Sequence, residues 1–185
     1  MKNILLIVAN PRQKSLSFTI ANRYKELSEN QNNTVELLDL YRDKYQQGFF
    51  TYENTNERIQ TKEMEYYQAK IAKADELVFV FPYWWGSYPA ILKNFFDWNF
   101  SGGFAFDYVN SRPVGLLKGK KVKVFTTTGA PSFIYTITGA NRRLKCMMKK
   151  QIIEFCGMKL DSFNIFGGVG TSGKNIEKIL QRIKL

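Results

Sequence analysis

The sequence predicts a three-layer α/β sandwich: a five-stranded parallel sheet in the order 2-1-3-4-5, with helices on both faces. Three observations carry this prediction. Apolar runs of strand length alternate with amphipathic stretches of helix length along the whole chain, a pattern that demands a parallel sheet crossed by right-handed connections. The apolar runs are nearly continuous, as expected of strands buried on both faces. The 185 residues, 44% of them apolar, suit one domain over 1–185 with a core that needs neither metal nor disulfide.

The elements follow in order. Residues 2–9 form the first apolar run. Residues 17–30 read as a helix, with Ser15 or Ser17 as N-cap. Residues 34–40 are a second strand, and residues 41–58, polar and aromatic without period, a long loop. Residues 59–74 read as a helix, and residues 76–81 as a buried strand stopped by Pro82. A helix starts near Pro89, which a first turn tolerates. Residues 121–127 are a strand, 136–155 a helix, 160–166 the fifth strand and 174–184 the last helix.

Composition excludes whole classes of chemistry. The chain has no histidine, so Ser-His-Asp and Cys-His nucleophile systems and histidine metal ligands are impossible. No metal site is expected. No apolar run approaches the ~18 residues of a membrane helix. Cys146 and Cys156 fall in a predicted helix, where ten residues rise ~15 Å, too far for a disulfide. Both are read as free thiols of a reducing, cytoplasmic protein.

In a sheet of this order ligands bind beyond the carboxyl ends of the strands, and three segments meet there. The first loop, Asn10 to Thr19, joins the first strand to a helix N-terminus, which favours an anion. Ser15, Ser17 and Thr19 add hydroxyls, and Arg12 and Lys14 add positive charge. Ordinary capping in a polar loop is the competing reading. The second segment packs four aromatics into the six residues from Tyr83 to Tyr88. Exposed aromatic surface marks binding sites. A planar ligand stacked on tryptophan accounts for it, as does burial against a neighbouring subunit. The third segment, Thr126-Thr127-Thr128-Gly129, brings hydroxyls and backbone N–H groups to the same crevice.

Together these segments resemble the flavodoxin-like NAD(P)H:quinone oxidoreductase family. The resemblance rests on Ser17-Phe18-Thr19, on the proline-tryptophan loop running into Pro89-Ala90-Ile91-Leu92-Lys93, on Thr127-Thr128-Gly129 and on Gly103-Phe104-Ala105-Phe106. It implies a flavin, FMN or FAD, reduced by NADH or NADPH. The electrons would pass to a quinone or similar aromatic acceptor in a homodimer that shares its sites. It implies that Ser17, Phe18 and Thr19 hold the phosphate end, where Asn10, Arg12 and Ser15 of the same loop are read as joining them, and that Pro82, Tyr83, Trp84 and Trp85 line the ring. Thr127, Thr128 and Gly129 would bond the ring's polar edge, and Tyr135 would serve as a proton donor. Some members carry a histidine where this chain has Asn141, which cannot become cationic.

Two other signals weigh less. Gly168 to Gly173 spells G-x-G-x-x-G, but a dinucleotide fold requires a further βα unit beyond it. A turn into the last helix is the better reading. Between Tyr108 and Ile153 stand ten basic residues and no acidic one; a solvated basic face is the favoured reading, and a field for anions such as dinucleotide phosphates the competing one. Nucleic acid is not the expected partner, because the aromatics do not interleave with these charges. Alternatives to the reductase are a flavodoxin-type electron carrier and a flavin-binding regulatory subunit of another protein.

Overall fold

The structure is a computed structural model that describes residues 1–53, 59–168 and 176–185. Its sheet has five parallel strands: β1 (Asn3–Val8), β2 (Thr34–Asp39), β3 (Glu76–Pro82), β6 (Lys121–Thr127) and β7 (Lys159–Phe166), in the order β2-β1-β3-β6-β7. The expected 2-1-3-4-5 is matched only loosely, because an antiparallel hairpin intervenes in the chain. Its strands, β4 (Phe106–Val109) and β5 (Arg112–Gly115), turn through Asn110 and Ser111, both at positive φ. That is the geometry of a two-residue hairpin turn.

Burial explains the sheet. Every residue of β3 is buried, and so is every residue of β1 except Asn3. Side chains alternate between two cores, as the two-residue period of a strand requires. Leu5, Ile7, Leu77 and Phe79 face one core, and Ile4, Leu6, Val78 and Val80 face the other.

Helix α1 (Leu16–Glu29) closes the second core with Ile20, Ala21 and Tyr24, joined by Ile179 of α6 (Ile176–Gln181). The first core is covered by α2 (Lys62–Lys73) and α3 (Ala90–Asn99), through Tyr67, Ile71, Leu92, Phe95 and Phe96. Thr61 caps α2 by accepting a hydrogen bond from the Met64 amide, 3.2 Å away.

The single helix expected over 136–155 is broken. A short α4 (Ser132–Ile137) is followed by Gly139 at φ 71, then α5 (Ala140–Met147), which widens into a π-helical stretch from Met148 to Ile153. The left-handed glycine stops one helix and starts the next. Cys156 therefore lies beyond the helix. It is buried, Cys146 is exposed, and both are free thiols. The last helix is shorter than expected. Most of the glycine-rich motif, Val169 to Gly173, and the start of the expected 174–184 helix lie outside the described residues.

The amino ends of the strands close over charge. The Tyr24 hydroxyl donates to the Glu76 carboxylate. Lys123 Nζ lies 3.6 Å from Glu76 and 3.6 Å from Asp161, and donates to the Tyr24 oxygen at 3.3 Å. Glu76 and Lys123 are 2% and 4% exposed. Burial and the adjacent Glu76 push the Tyr24 hydroxyl well above its ordinary range.

Candidate functional site

The carboxyl ends of β1, β3 and β6 bring the three segments together. The Ala9 amide bonds to the Val80 carbonyl at 3.0 Å, and the Tyr83 amide to the Thr127 carbonyl at 2.8 Å, so the loops leave from neighbouring strands.

In the first loop, Asn10 is an internal brace. Its Nδ2 donates to Ser17 Oγ at 3.0 Å, and its Oδ1 accepts from the Arg12 amide at 2.9 Å. Ser17 is thus turned inward and buried, and Phe18 packs half-buried against the second core. Thr19 Oγ1 donates to the Ser15 carbonyl at 3.1 Å. Arg12 is exposed. Ser15 differs from the other hydroxyls. It is the N-cap of α1 with extended backbone, yet its Oγ is buried and has no hydrogen-bond partner among the described residues. The first turn of α1 carries no acidic residue. A buried donor at the positive end of a helix dipole, with its capping role unfilled, suits an anion's oxygen.

The second loop divides its aromatics. Tyr83 and Tyr88 are buried, 6% and 8% exposed. The Tyr83 hydroxyl donates to the Ala140 carbonyl at 3.1 Å, and its ring centroid lies 5.3 Å from that of Tyr135. Burial raises the Tyr83 pKa, against the nearby charge of Arg143. Trp84 and Trp85 face outward, at 43% exposure and full exposure. A tight turn holds them there: Trp84 and Ser87 exchange two backbone hydrogen bonds, of 3.0 and 2.9 Å, around Trp85 at φ 52 and Gly86 at φ 79. A bulky residue in the left-handed region is strained, a condition that clusters at functional sites. Pro82 ends β3 in register with Thr127.

The third segment supplies less free chemistry than its residue types promise. Thr128 is buried, with its hydroxyl donating to the Ala130 carbonyl at 2.9 Å and its amide to the Phe166 carbonyl at 2.9 Å. Thr127 is half-buried, and its carbonyl is taken by the Tyr83 amide. Gly129 is exposed, with nothing within 4 Å of where a Cβ would stand. Thr126, part of the third segment but given no role in binding a flavin, is fully buried, and its hydroxyl has no partner among the described residues. Tyr135, on α4, is half-buried against Tyr83. Asn141 donates to Thr136 Oγ1 at 3.1 Å.

The structure disperses the basic run between Tyr108 and Ile153. Lys123 is buried at the amino ends, Lys149 and Lys150 pair with Glu154, and Lys120 bonds the Ala72 and Ala74 carbonyls. No group of three or more His, Cys, Asp or Glu residues able to hold a metal occurs among the described residues. No described helix is long and apolar enough to cross a membrane.

A cavity of about 610 Å³ lies apart from the three loops. It sits between the start of α2, the end of α3 and β4, and is lined by Phe50, Tyr52, Met64, Phe104 and Phe106 among others. None of the sequence-predicted site residues lines it. The chemistry gathers instead on an open shelf at the strand ends, where an N-terminal helix dipole, two outward tryptophans and an unobstructed glycine meet.

Comparison with known proteins identifies this shelf's lineage. An uncharacterised NAD(P)H oxidoreductase of Haemophilus influenzae is 31% identical over 170 residues, covering 90% of this chain and 84% of its own. An FMN-dependent NADH:quinone oxidoreductase of Caldicellulosiruptor bescii is 30% identical over 193 residues, covering 97% of this chain and 93% of its own. The solved NAD(P)H:quinone oxidoreductase of Methanothermobacter marburgensis superposes with a TM-score of 0.85 at 23% identity, over 98% of this chain and 94% of that one. The profile of the flavodoxin-like fold matches residues 2–184. The chain belongs to the flavodoxin-like NAD(P)H:quinone oxidoreductase family.

Proposed function

We propose that the protein is a flavin-dependent NAD(P)H oxidoreductase that passes two electrons to a quinone or similar aromatic acceptor. The observation that carries this reading is the unfilled Ser15 hydroxyl at the α1 N-terminus, standing on the same shelf as the outward Trp84 and Trp85. One is chemistry for a phosphate, the other for a planar ring. The residues present therefore fit a flavin. When bound, the flavin supplies the redox chemistry, accepting a hydride from the nicotinamide and giving two electrons to the acceptor.

The chain's own residues bind and orient. Ser15 Oγ and the free N–H groups of the first turn of α1 hold the phosphate end. Asn10 fixes that loop through Ser17 and the Arg12 amide, and Arg12 and Thr19 stand at its rim. Phe18, packed on the core, sets the direction of the helix entry. Trp84 and Trp85 cover a ring face, with Pro82 and Tyr83 as the floor beneath them. The unobstructed Gly129 backbone bonds the ring's polar edge, in a turn that Thr127 and Thr128 hold in place through their bonds to Tyr83, Phe166 and Ala130. The Tyr135 hydroxyl moves the proton that accompanies reduction of the acceptor. With no histidine in the chain, that proton has no imidazole source.

We further read the flavin as FMN, as in the FMN-dependent NADH:quinone oxidoreductase of Caldicellulosiruptor bescii that is 30% identical to 97% of this chain. The working form in this reading is a cytoplasmic homodimer of one domain spanning residues 1–185. The test is the visible spectrum of the purified protein after incubation with FMN or FAD and desalting. Retained flavin that bleaches with NADH or NADPH is the expected result. Retained flavin that does not bleach replaces the reductase by a carrier or regulatory subunit. No retained flavin overturns the site.

A further inference from the structure

Two arginines of the basic run stand beside the flavin site and have no role in it so far. Several lysines of that run are occupied elsewhere: Lys123 is buried at the amino ends, Lys120 bonds two carbonyls, and Lys149 and Lys150 pair with Glu154. Arg142 and Arg143 differ. Both lie in the first turn of α5, within a stretch from Ser132 to Ile153 that holds no acidic residue. Neither makes an ion pair among the described residues. The break at Gly139 brings them to the site. It lets α5 begin where the Tyr83 hydroxyl meets the Ala140 carbonyl at 3.1 Å, beside Tyr135, whose ring lies 5.3 Å from that of Tyr83. Arg143 Nη1 donates to the Thr138 carbonyl at 2.9 Å, which fixes the guanidinium across the break. The rest of its fork has no partner among the described residues. Its positive charge reaches Tyr83 and partly offsets the rise that burial gives the hydroxyl's pKa.

We propose that Arg142 and Arg143 dock the phosphates of the nicotinamide donor at the edge of the flavin site. The inference rests on the reductase reading above and assigns a part of the site that reading leaves open. A guanidinium fork meets phosphate oxygens in pairs, and a fork already held by one bond loses little freedom in doing so. Donor and acceptor must both reach the flavin ring, yet only the dinucleotide carries phosphate. Two cations at the rim therefore favour the donor and add nothing for a neutral quinone. Arg12 stands in the first loop, at the flavin's own phosphate end, which leaves these two arginines for the donor. Two groups on a donor have this chemistry: the diphosphate of either dinucleotide and the 2′-phosphate of NADPH.

The test joins steady-state kinetics of FMN-loaded protein, with NADH and with NADPH, to calorimetric titration of 2′,5′-ADP and of 5′-ADP. The titrations are run with and without FMN and need no turnover. Arg142→Gln should raise the donor KM on the order of tenfold, with kcat and the quinone KM unchanged. It should weaken the nucleotide titration by a similar factor. Arg143→Gln should act alike. If loss of its bond to Thr138 disturbs α4, Arg142→Gln still decides, because no bond of the fold depends on Arg142. A change confined to NADPH and 2′,5′-ADP puts the 2′-phosphate on the pair, and an equal change for both dinucleotides puts the diphosphate there; either supports the proposal. Lys121→Gln removes the same charge from an exposed residue at the start of β6 and should leave every donor constant unchanged. Three results overturn the proposal. One is an unchanged donor KM and nucleotide affinity in Arg142→Gln. Another is an equal effect of Lys121→Gln, which reduces the pair to net charge. The third is a loss of FMN affinity with donor binding intact, which gives the arginines to the flavin. Wild-type protein that retains no flavin sinks the reductase reading instead, while the titration without FMN still shows whether the pair binds nucleotide phosphate.

Discussion

The two ends of the sheet are made of the same strands and treat polar and aromatic groups in opposite ways. At the amino ends, Tyr24, Glu76 and Lys123 are buried and bonded to one another, so charge is consumed by structure. At the carboxyl ends, the Ser15 hydroxyl has no partner among the described residues, Trp85 is held out in a left-handed turn, and Arg142 and Lys145 face solvent. At the closed end the chain supplies its own partners, out to the part-exposed Lys2 and Asp161 that flank Glu76 and Lys123. Binding capacity is concentrated at the open end, where partners are missing.

The sharpest way to break the contrast is to attack the closed end. Glu76→Ala leaves the buried Lys123 with Tyr24 and the part-exposed Asp161 as its remaining partners and should cost about 1–3 kcal/mol, read by urea denaturation. The folded fraction should still retain flavin. A loss under about 1 kcal/mol would mean that the network is solvated and that the two ends do not differ in this respect.

Alkali should act at the same end. Burial pushes the Cys156 thiol from 9.0 to about 12, and burial with Glu76 raises Tyr24 as well. The folded chain keeps protons that the unfolded chain gives up. The contribution is therefore complete below about pH 9 and lost progressively as pH climbs toward about 12. Each group contributes on the order of 1 kcal/mol per pH unit in its window. Cys156→Ala should flatten the stability profile between pH 9 and 10, whereas a profile identical to wild type refutes the assignment. Maleimide should label Cys146 and spare Cys156 until the chain unfolds.

The open end should show the reverse behaviour. Trp84→Ala and Trp85→Ala should each weaken flavin binding about three- to tenfold. Their effect on unfolding should stay within about 0.5 kcal/mol. A large drop in melting temperature with unchanged flavin affinity would make these rings packing surface. The smallest effect is expected from Tyr135→Phe: a few-fold slowing of one half-reaction in stopped flow, with affinity and stability untouched. Rates equal to wild type in both half-reactions remove the proton-donor role.

Much of the fold was legible because β1 and β3 are buried on both faces, which writes itself as continuous apolar runs. The hairpin was not legible. Its strands are four residues each, Pro113 sits inside one, and neither contains a buried residue. The break between α4 and α5 was hidden because only the positive φ of Gly139, not any change of period, marks it. At the site, the clustering of aromatics after β3 was readable, but their division was not. The Trp85-Gly86 turn decides that two tryptophans face out while Tyr83 and Tyr88 face in, and backbone conformation of that kind is set by tertiary contacts. The hydroxyls of Ser17, Thr19 and Thr128 looked available in the sequence, yet local bonds occupy them. The basic run looked like one field until packing sent Lys123 and Arg142 to opposite ends.

Glu76 and Lys123 stand on adjacent strands, 2% and 4% exposed. Exchanging either alone leaves the other to a part-exposed partner, Asp161 at 3.6 Å for Lys123 or Lys2 at 3.7 Å for Glu76, whereas a joint change to two neutral residues of similar volume removes the mismatch. Inheritance should therefore treat the two codons as one. Among descendants of this gene, positions 76 and 123 should change together or not at all, and a lineage caught between the two changes would carry a protein close to its unfolding threshold.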